Sequence, residues 1–341
     1  MNRRLPVGRI LLCAIVSMAA FAGTAAALHA WLPVRVPTVE GKLRDCDLHR
    51  AEINTIFLGS SRFDHGIVPD LFDNVAYEDG VVTCSYNFGV DGMKSGECLY
   101  LLKTILALRL PHLQRVFIED LRCETGINPN EKGTLHERYW HGPEETWWSL
   151  RAIIAGTHLS RAGLWASVST MADHLQISAA DNLNVGSGLS WLVPRTGQPG
   201  AARLATKEFT EAGFVPLLGS EPKPGQFQAL NKAVAALRKN PEALSVTDQV
   251  SVAMLDEMIR LVRKAGLEPV LVQMPTPYEL PQLSDPRLIG VPVYRFSDVV
   301  RYPAFYLATN RHNLDHFNIE GARNFTETLA EQFALQDDGF R

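Results

Sequence analysis

The chain has 341 residues, 46% hydrophobic and 21% charged, which allows one large domain or two modest ones with a proper core and excludes a disordered or fibrous protein. A net charge of −4, a pI near 6.2 and the lack of any block of five like charges remove a general attraction to nucleic acid or to an anionic membrane surface.

Arg3, Arg4 and Arg9 flank an uncharged run over residues 10–32, long enough to cross a bilayer as a helix with its basic end in the cytoplasm. The expectation is a single-pass anchor over residues 1–32, with the body of the protein outside the cytoplasmic membrane, in the periplasm where the cell has one. Ala25-Ala26-Ala27 also offers a small-residue cleavage site, so a secreted protein released from a signal peptide is the competing reading. The length of the apolar run favours the anchor. Both readings export the remainder. Cys13 falls inside the run, and Cys46, Cys84, Cys98 and Cys123 are an even set that an oxidising compartment could pair in three ways, with one or two disulfides expected. With no C-x-x-C, neither zinc nor a thioredoxin-like site is indicated. Residues 33–45, with Pro33 and Pro37 and no helical pattern, are expected to be a linker, with the folded part starting near Cys46.

The run Thr55-Ile56-Phe57-Leu58-Gly59-Ser60-Ser61-Arg62 predicts a strand buried on both faces that delivers a hydroxyl into a turn at its carboxyl end. Gly-Ser-Ser is also an ordinary turn sequence. A second strand is expected over 81–87, ending in the glycine-punctuated Phe88-Gly89-Val90-Asp91-Gly92. A helix follows over 93–110, with Leu99, Leu102, Leu106 and Leu110 at spacings of three and four. Val116-Phe117-Ile118 centres a third strand ending in Glu119-Asp120, and an amphipathic helix over 250–264, capped by Gly266, leads into a fourth at 270–274. A fifth at 291–294 is weakened by Pro292, and a last helix runs over 319–335. Strand alternating with helix predicts a three-layer α/β domain, residues 46–341, with a flavodoxin-like parallel sheet of order 2-1-3-4-5. Between about 125 and 245 the alternation breaks down. That block holds Trp140, Trp147, Trp148, Trp165 and Trp191, with helical pieces over 144–155 and 159–175. It reads as a helical insertion packing over the carboxyl edge of the sheet. Its tryptophans suit a core, with a sugar-binding platform as the alternative.

Near the C-terminus, Asn313-Leu314-Asp315-His316-Phe317-Asn318 places a histidine on a loop before the final helix. A serine at one strand mouth and a histidine on a late loop are the two parts of a nucleophilic acyl-transfer site: the imidazole takes the hydroxyl proton and returns it to the leaving group. The alternative, His312 and His316 as a metal pair, lacks any further ligand cluster.

Gly59-Ser60-Ser61-Arg62, then Asn87-Phe88-Gly89-Val90-Asp91-Gly92, then Asn313-Leu314-Asp315-His316 with Asn318 and Gly321, resemble three ordered blocks of the SGNH (GDSL-type) hydrolase superfamily. The resemblance implies the SGNH hydrolase fold, with Ser61 as nucleophile, His316 as general base, and the N–H groups of Ser61 and Gly92 as the oxyanion hole. It implies no cofactor and no metal. Two features depart from the pattern. The asparagine that the third block usually supplies is missing after Glu119-Asp120-Leu121, or replaced by Arg122. Asn313 stands where an aspartate orients the histidine, with Asp315 as the alternative third member. The anchor, the Gly-Ser-Ser turn and the large insertion are similar to membrane-anchored envelope acyltransferases, namely exopolysaccharide O-acetyltransferases and the D-alanyl transfer protein of teichoic-acid modification. That resemblance implies an exported esterase or O-acyltransferase acting on an acylated glycan or related envelope polymer through an acyl-serine, beside a multi-span membrane acyltransferase. A catalytically silent binding or assembly subunit on the same fold is the alternative.

Overall fold

A computed structural model describes residues 7–31, 34–123, 125–128, 131–156, 160–183, 209, 212–217, 223–239, 245–246, 249–276, 280–281 and 285–337. In chain order its principal elements are α1 (Val7–Trp31), α2 (Pro37–Leu48), β1 (Thr55–Gly59), α3 (Ser61–Asp64), α4 (Pro69–Glu78), β2 (Ser85–Gly89), α5 (Ser95–Ala107) and β3 (Arg115–Glu119). They continue with α6 (Leu135–Arg138), α7 (Pro143–Gly156), α8 (Arg161–Asn182), α9 (Pro224–Lys239), α10 (Gln249–Lys264), β4 (Glu268–Gln273), β5 (Val293–Arg295) and α11 (Ile319–Asp337). The contacts divide the chain into two compact units, residues 1–36 with 125–203 and residues 37–124 with 204–341.

The second unit carries a five-stranded parallel sheet of order β2-β1-β3-β4-β5, flanked by helices. β1 is buried along its whole length, as a central strand covered on both faces must be. On one face Phe57, Phe72, Phe117 and Phe333 form a cluster of edge-on and tilted rings that fixes α4 and α11 against the strands. α10 presents the apolar stripe Val252, Leu255, Met258, Ile259 and Val262, all buried.

Four expectations need correction here. The linker of residues 33–45 is largely helix: α2 starts with Pro37 as its first helical residue and buries Val39, Lys42 and Cys46 at helical spacing. The second strand lies at Ser85–Gly89, four residues later than the β-branched run at 81–84 suggests. The insertion also divides, because Leu230, Val234 and Leu237 of α9 belong to the core of the sheet unit. The described cysteines are all free, contrary to the expected disulfides. Burial, with Asp45 and Asp47 beside it, pushes the Cys46 thiol up to about 12, and burial likewise raises Cys98, as for inert core thiols.

In the first unit, Gly8–Leu28 within α1 has a mean hydropathy of 2.2. It fits a signal sequence or a membrane anchor, single-pass at most. Around α6, α7 and α8, Trp140 and Trp148 are buried while Trp147 and Trp165 are exposed; Trp191 lies outside the described residues. His141 Nε2 meets His174 Nδ1 at 2.9 Å in the interior of this unit.

Candidate active site

β1 ends in a glycine because no larger residue fits: a Cβ on Gly59 would lie 2.6 Å from Glu119 Oε2 and 2.7 Å from the Phe63 ring. Gly89, at the end of β2, is equally constrained, with a Cβ 2.2 Å from the Asp64 nitrogen. These bare positions let α3 settle onto the carboxyl edge of the sheet. Ser60 caps α3 in extended conformation, its Oγ accepting the Arg62 N–H at 3.3 Å. Ser61 is therefore the first helical residue, and its own N–H has no acceptor within the helix.

Glu119, wholly buried, braces this turn from below: Oε2 accepts the Ser60 N–H, and Oε1 pairs with Arg62 Nε at 2.6 Å. The end of β3 thus contributes a carboxylate under the serine turn, while Arg122 is exposed. Next to it, Asp120 is buried with Oδ2 accepting from Gln273 Nε2 at 2.9 Å and Oδ1 without a partner. Burial pushes Asp120 up to about 7 against the pull of Gln273 and Arg62.

Ser61 Oγ lies 2.7 Å from His316 Nε2, and His316 Nδ1 lies 3.0 Å from Asn313 Oδ1. The same Oδ1 accepts the backbone N–H groups of Asp315 at 2.8 Å and of His316 at 2.9 Å. Two fixed donors force the oxygen rather than the amide nitrogen to that place, so Nδ1 of His316 carries the proton and Nε2 accepts from the serine. Asp315 contributes its backbone N–H to this cap. The His316 imidazole is pushed down to about 4, chiefly by burial, then by His65, Arg62 and His312, with Asp91 pulling the other way. It is unprotonated at neutral pH, as a general base must be.

Gly92 has φ +71, a left-handed turn that glycine adopts without strain. The turn is tied to the end of β1 by Val90 N–H on the Gly59 carbonyl at 2.9 Å, and the Gly92 N–H makes no hydrogen bond among the described residues. Ser61, His316 and Asn313 therefore meet, and the Gly92 turn is moored to the strand that ends beside them.

The sequence reading missed a second polar cluster. Lys42 of α2, fully buried, donates to Asp64 Oδ1 at 2.6 Å and to the carbonyls of Gly89 at 2.7 Å and Asn87 at 3.2 Å. His65 follows at the C-cap of α3, with Nδ1 2.8 Å from the Val215 carbonyl and Nε2 2.8 Å from Asp91 Oδ1. Ligand atoms of Asp64, His65 and Asp91 lie within 4.8 Å of one another, but Lys42 holds Asp64 and His65 holds Asp91, which makes an ion-pair network. The signal for His65 was its place four residues after Ser61, one helical turn on. Lys42 gave none, because a lysine is not counted among core-forming residues.

No protein-family model matches the chain, and a search of curated proteins finds no match.

Proposed function

We propose that the chain is an exported serine esterase or O-acyltransferase of the SGNH (GDSL-type) hydrolase superfamily, acting on an acylated envelope polysaccharide or related polymer. The observation that carries this reading is the 2.7 Å contact of Ser61 Oγ with His316 Nε2 at the carboxyl edge of a parallel sheet, where open α/β folds place their ligands. Ser61 Oγ attacks the ester carbonyl as its proton passes to His316 Nε2, and the N–H groups of Ser61 and Gly92 hold the oxyanion. Collapse breaks the ester C–O bond, the proton returns from Nε2 to the departing alcohol, and acyl-Ser61 remains. Water or a polymer hydroxyl then attacks with the same proton relay, giving the acid or the transferred ester. The polymer is the macromolecular partner in this reading, with a multi-span membrane acyltransferase as the donor-side partner, and α1 tethers the enzyme to the membrane.

The test is labelling of the full-length protein in detergent with a fluorophosphonate, which needs an activated serine. Labelling confined to Ser61, and lost in Ser61→Ala and His316→Ala, is the expected result. An unlabelled wild-type protein overturns the reading. The second reading, a silent binding or assembly subunit on the same fold, is favoured by one observation: the acceptor at His316 Nδ1 is a neutral amide, which orients the ring without stabilising imidazolium.

A further inference from the structure

We propose that His65 and Asp91 form a second histidine–aspartate pair that acts through His316, as positioning residues that hold its ring against Ser61 and set the pH at which it accepts a proton. The inference rests on the acyl-transfer reading for its meaning, but not for its test.

His65 is bracketed by two acceptors, the Val215 carbonyl and Asp91 Oδ1, each at 2.8 Å. A neutral imidazole offers one donor, whereas the doubly protonated ring donates to both. The neighbours agree: Asp64 Oδ2 lies 3.9 Å from His65 Nε2, and Lys42 sits on the far side of Asp64 at 2.6 Å. Charges thus alternate in the order Lys42, Asp64, His65, Asp91, and the set is neutral only when His65 is a cation. The His65 ring is buried and meets the His316 ring edge-on, with centroids 5.5 Å apart and planes at 80°. This contact packs His316 in place and sets a positive charge beside it. Of the other groups that act on His316, Arg62 and His312 have the same sign as His65, and Asp91 opposes them. The nucleophile and this second histidine share α3, so the turn that aims Ser61 also places His65.

The charges make signed predictions. In His65→Gln the cation is gone while Asp91 remains, and His316 titrates higher by about one to two pH units. In Asp91→Asn the opposing charge is gone, and the midpoint falls by a smaller amount, since Asp91 is more exposed than His65. The readout is NMR titration of full-length protein in detergent carrying 13C-labelled histidine, with the His316 signal assigned by its loss in His316→Ala. A merely structural role moves neither midpoint in a folded variant. Shifts of opposite sign support the proposal. An unmoved midpoint in folded His65→Gln, or shifts of the same sign in both variants, overturns it; if His65→Gln does not fold, a rise or no change in Asp91→Asn overturns it alone. The titration reads His316 whether or not the protein turns over, so absent fluorophosphonate labelling defeats the acyl-transfer reading separately.

Discussion

Replacing Asn313 by aspartate is the most direct test of the site's electrostatics. Asn313 Oδ1 already accepts three N–H groups, from His316 Nδ1, the His316 backbone and the Asp315 backbone, and one carboxylate oxygen can accept the same three without rearrangement. Only the charge changes. At a separation near 4 Å and an effective dielectric of about 20, a unit charge is worth about 4 kcal/mol to the imidazolium, or ~3 pH units. Solvent at the half-buried loop reduces this, so His316 should move from about 4 to between about 6 and 7. On the proposed acyl-transfer reading, the imidazolium formed in the transition state gains the same stabilisation, and turnover should rise by ~10² to 10⁴, the scale on which a triad aspartate acts in serine proteases. The assay is the pH profile, from 5 to 9, of full-length Asn313→Asp against wild type with an activated aryl acetate or the fluorophosphonate. The inflection set by His316 should move up and the plateau above it should rise. If the NMR midpoint of His316 does not move, Asn313 does not face Nδ1 in solution; if it moves and the plateau does not rise, the missing charge is not what limits the reaction.

Asp120→Asn should stabilise the fold above pH 7 and not below pH 4. The folded state holds Asp120 up at about 7 against an unfolded value near 3.8, so its contribution is full below 3.8 and is lost as pH rises through 7, ~4 kcal/mol in all. Part is offset by the ~1 to 3 kcal/mol of an amide N–H₂ taking the place of the unpartnered Oδ1; urea melts at pH 4 and 8 showing the same difference between variant and wild type would refute this. Lys42→Met should cost ~3 to 5 kcal/mol, because it leaves Asp64 buried and uncompensated and strips the Gly89 and Asn87 carbonyls of a donor. A loss below about 1 kcal/mol in chemical denaturation would mean the ammonium is not held as the structure has it.

What the sequence made legible follows from how each residue is stabilised. β1, β3 and β4 are apolar runs covered on both faces, and such runs announce themselves. β2 does not, because its register is set by tertiary hydrogen bonds: Asn87, fully buried in mid-strand, donates to the Phe63 carbonyl at 2.7 Å and the Ile67 carbonyl at 2.8 Å, and accepts the Gly89 N–H at 2.8 Å. Propensity places a strand on the β-branched residues just before it and cannot see that the asparagine satisfies the chain leaving α3. In the site, Ser61, His316 and Asn313 were readable because each closes or opens a local turn with its own residue pattern. Glu119, Lys42 and Asp91 were not readable as partners, because their contacts join segments far apart in the chain.

The distribution of charge around the serine bears on the neutral amide that faces His316 Nδ1. Among the carboxylates at this edge of the sheet, Glu119 is matched with Arg62, Asp64 with Lys42 and Asp91 with His65, while the buried Asp120 takes its hydrogen bond from the neutral Gln273 amide. Those pairs hold α3 at the ends of β1 and β2. None places a carboxylate on His316 Nδ1, and the groups that act on His316 electrostatically are mostly basic. A histidine in such a field keeps its lone pair free for the serine proton over a wide pH range, yet holds that proton weakly once taken. Weak holding favours a reaction whose leaving group departs readily, because the proton returns to it easily, and it penalises an unactivated ester. If the acyl-transfer reading holds, wild-type protein should therefore discriminate between aryl and alkyl acetates more steeply than Asn313→Asp, in which the restored charge stabilises the imidazolium. Equal discrimination by the two proteins would break the link between the neutral amide and the choice of acyl donor.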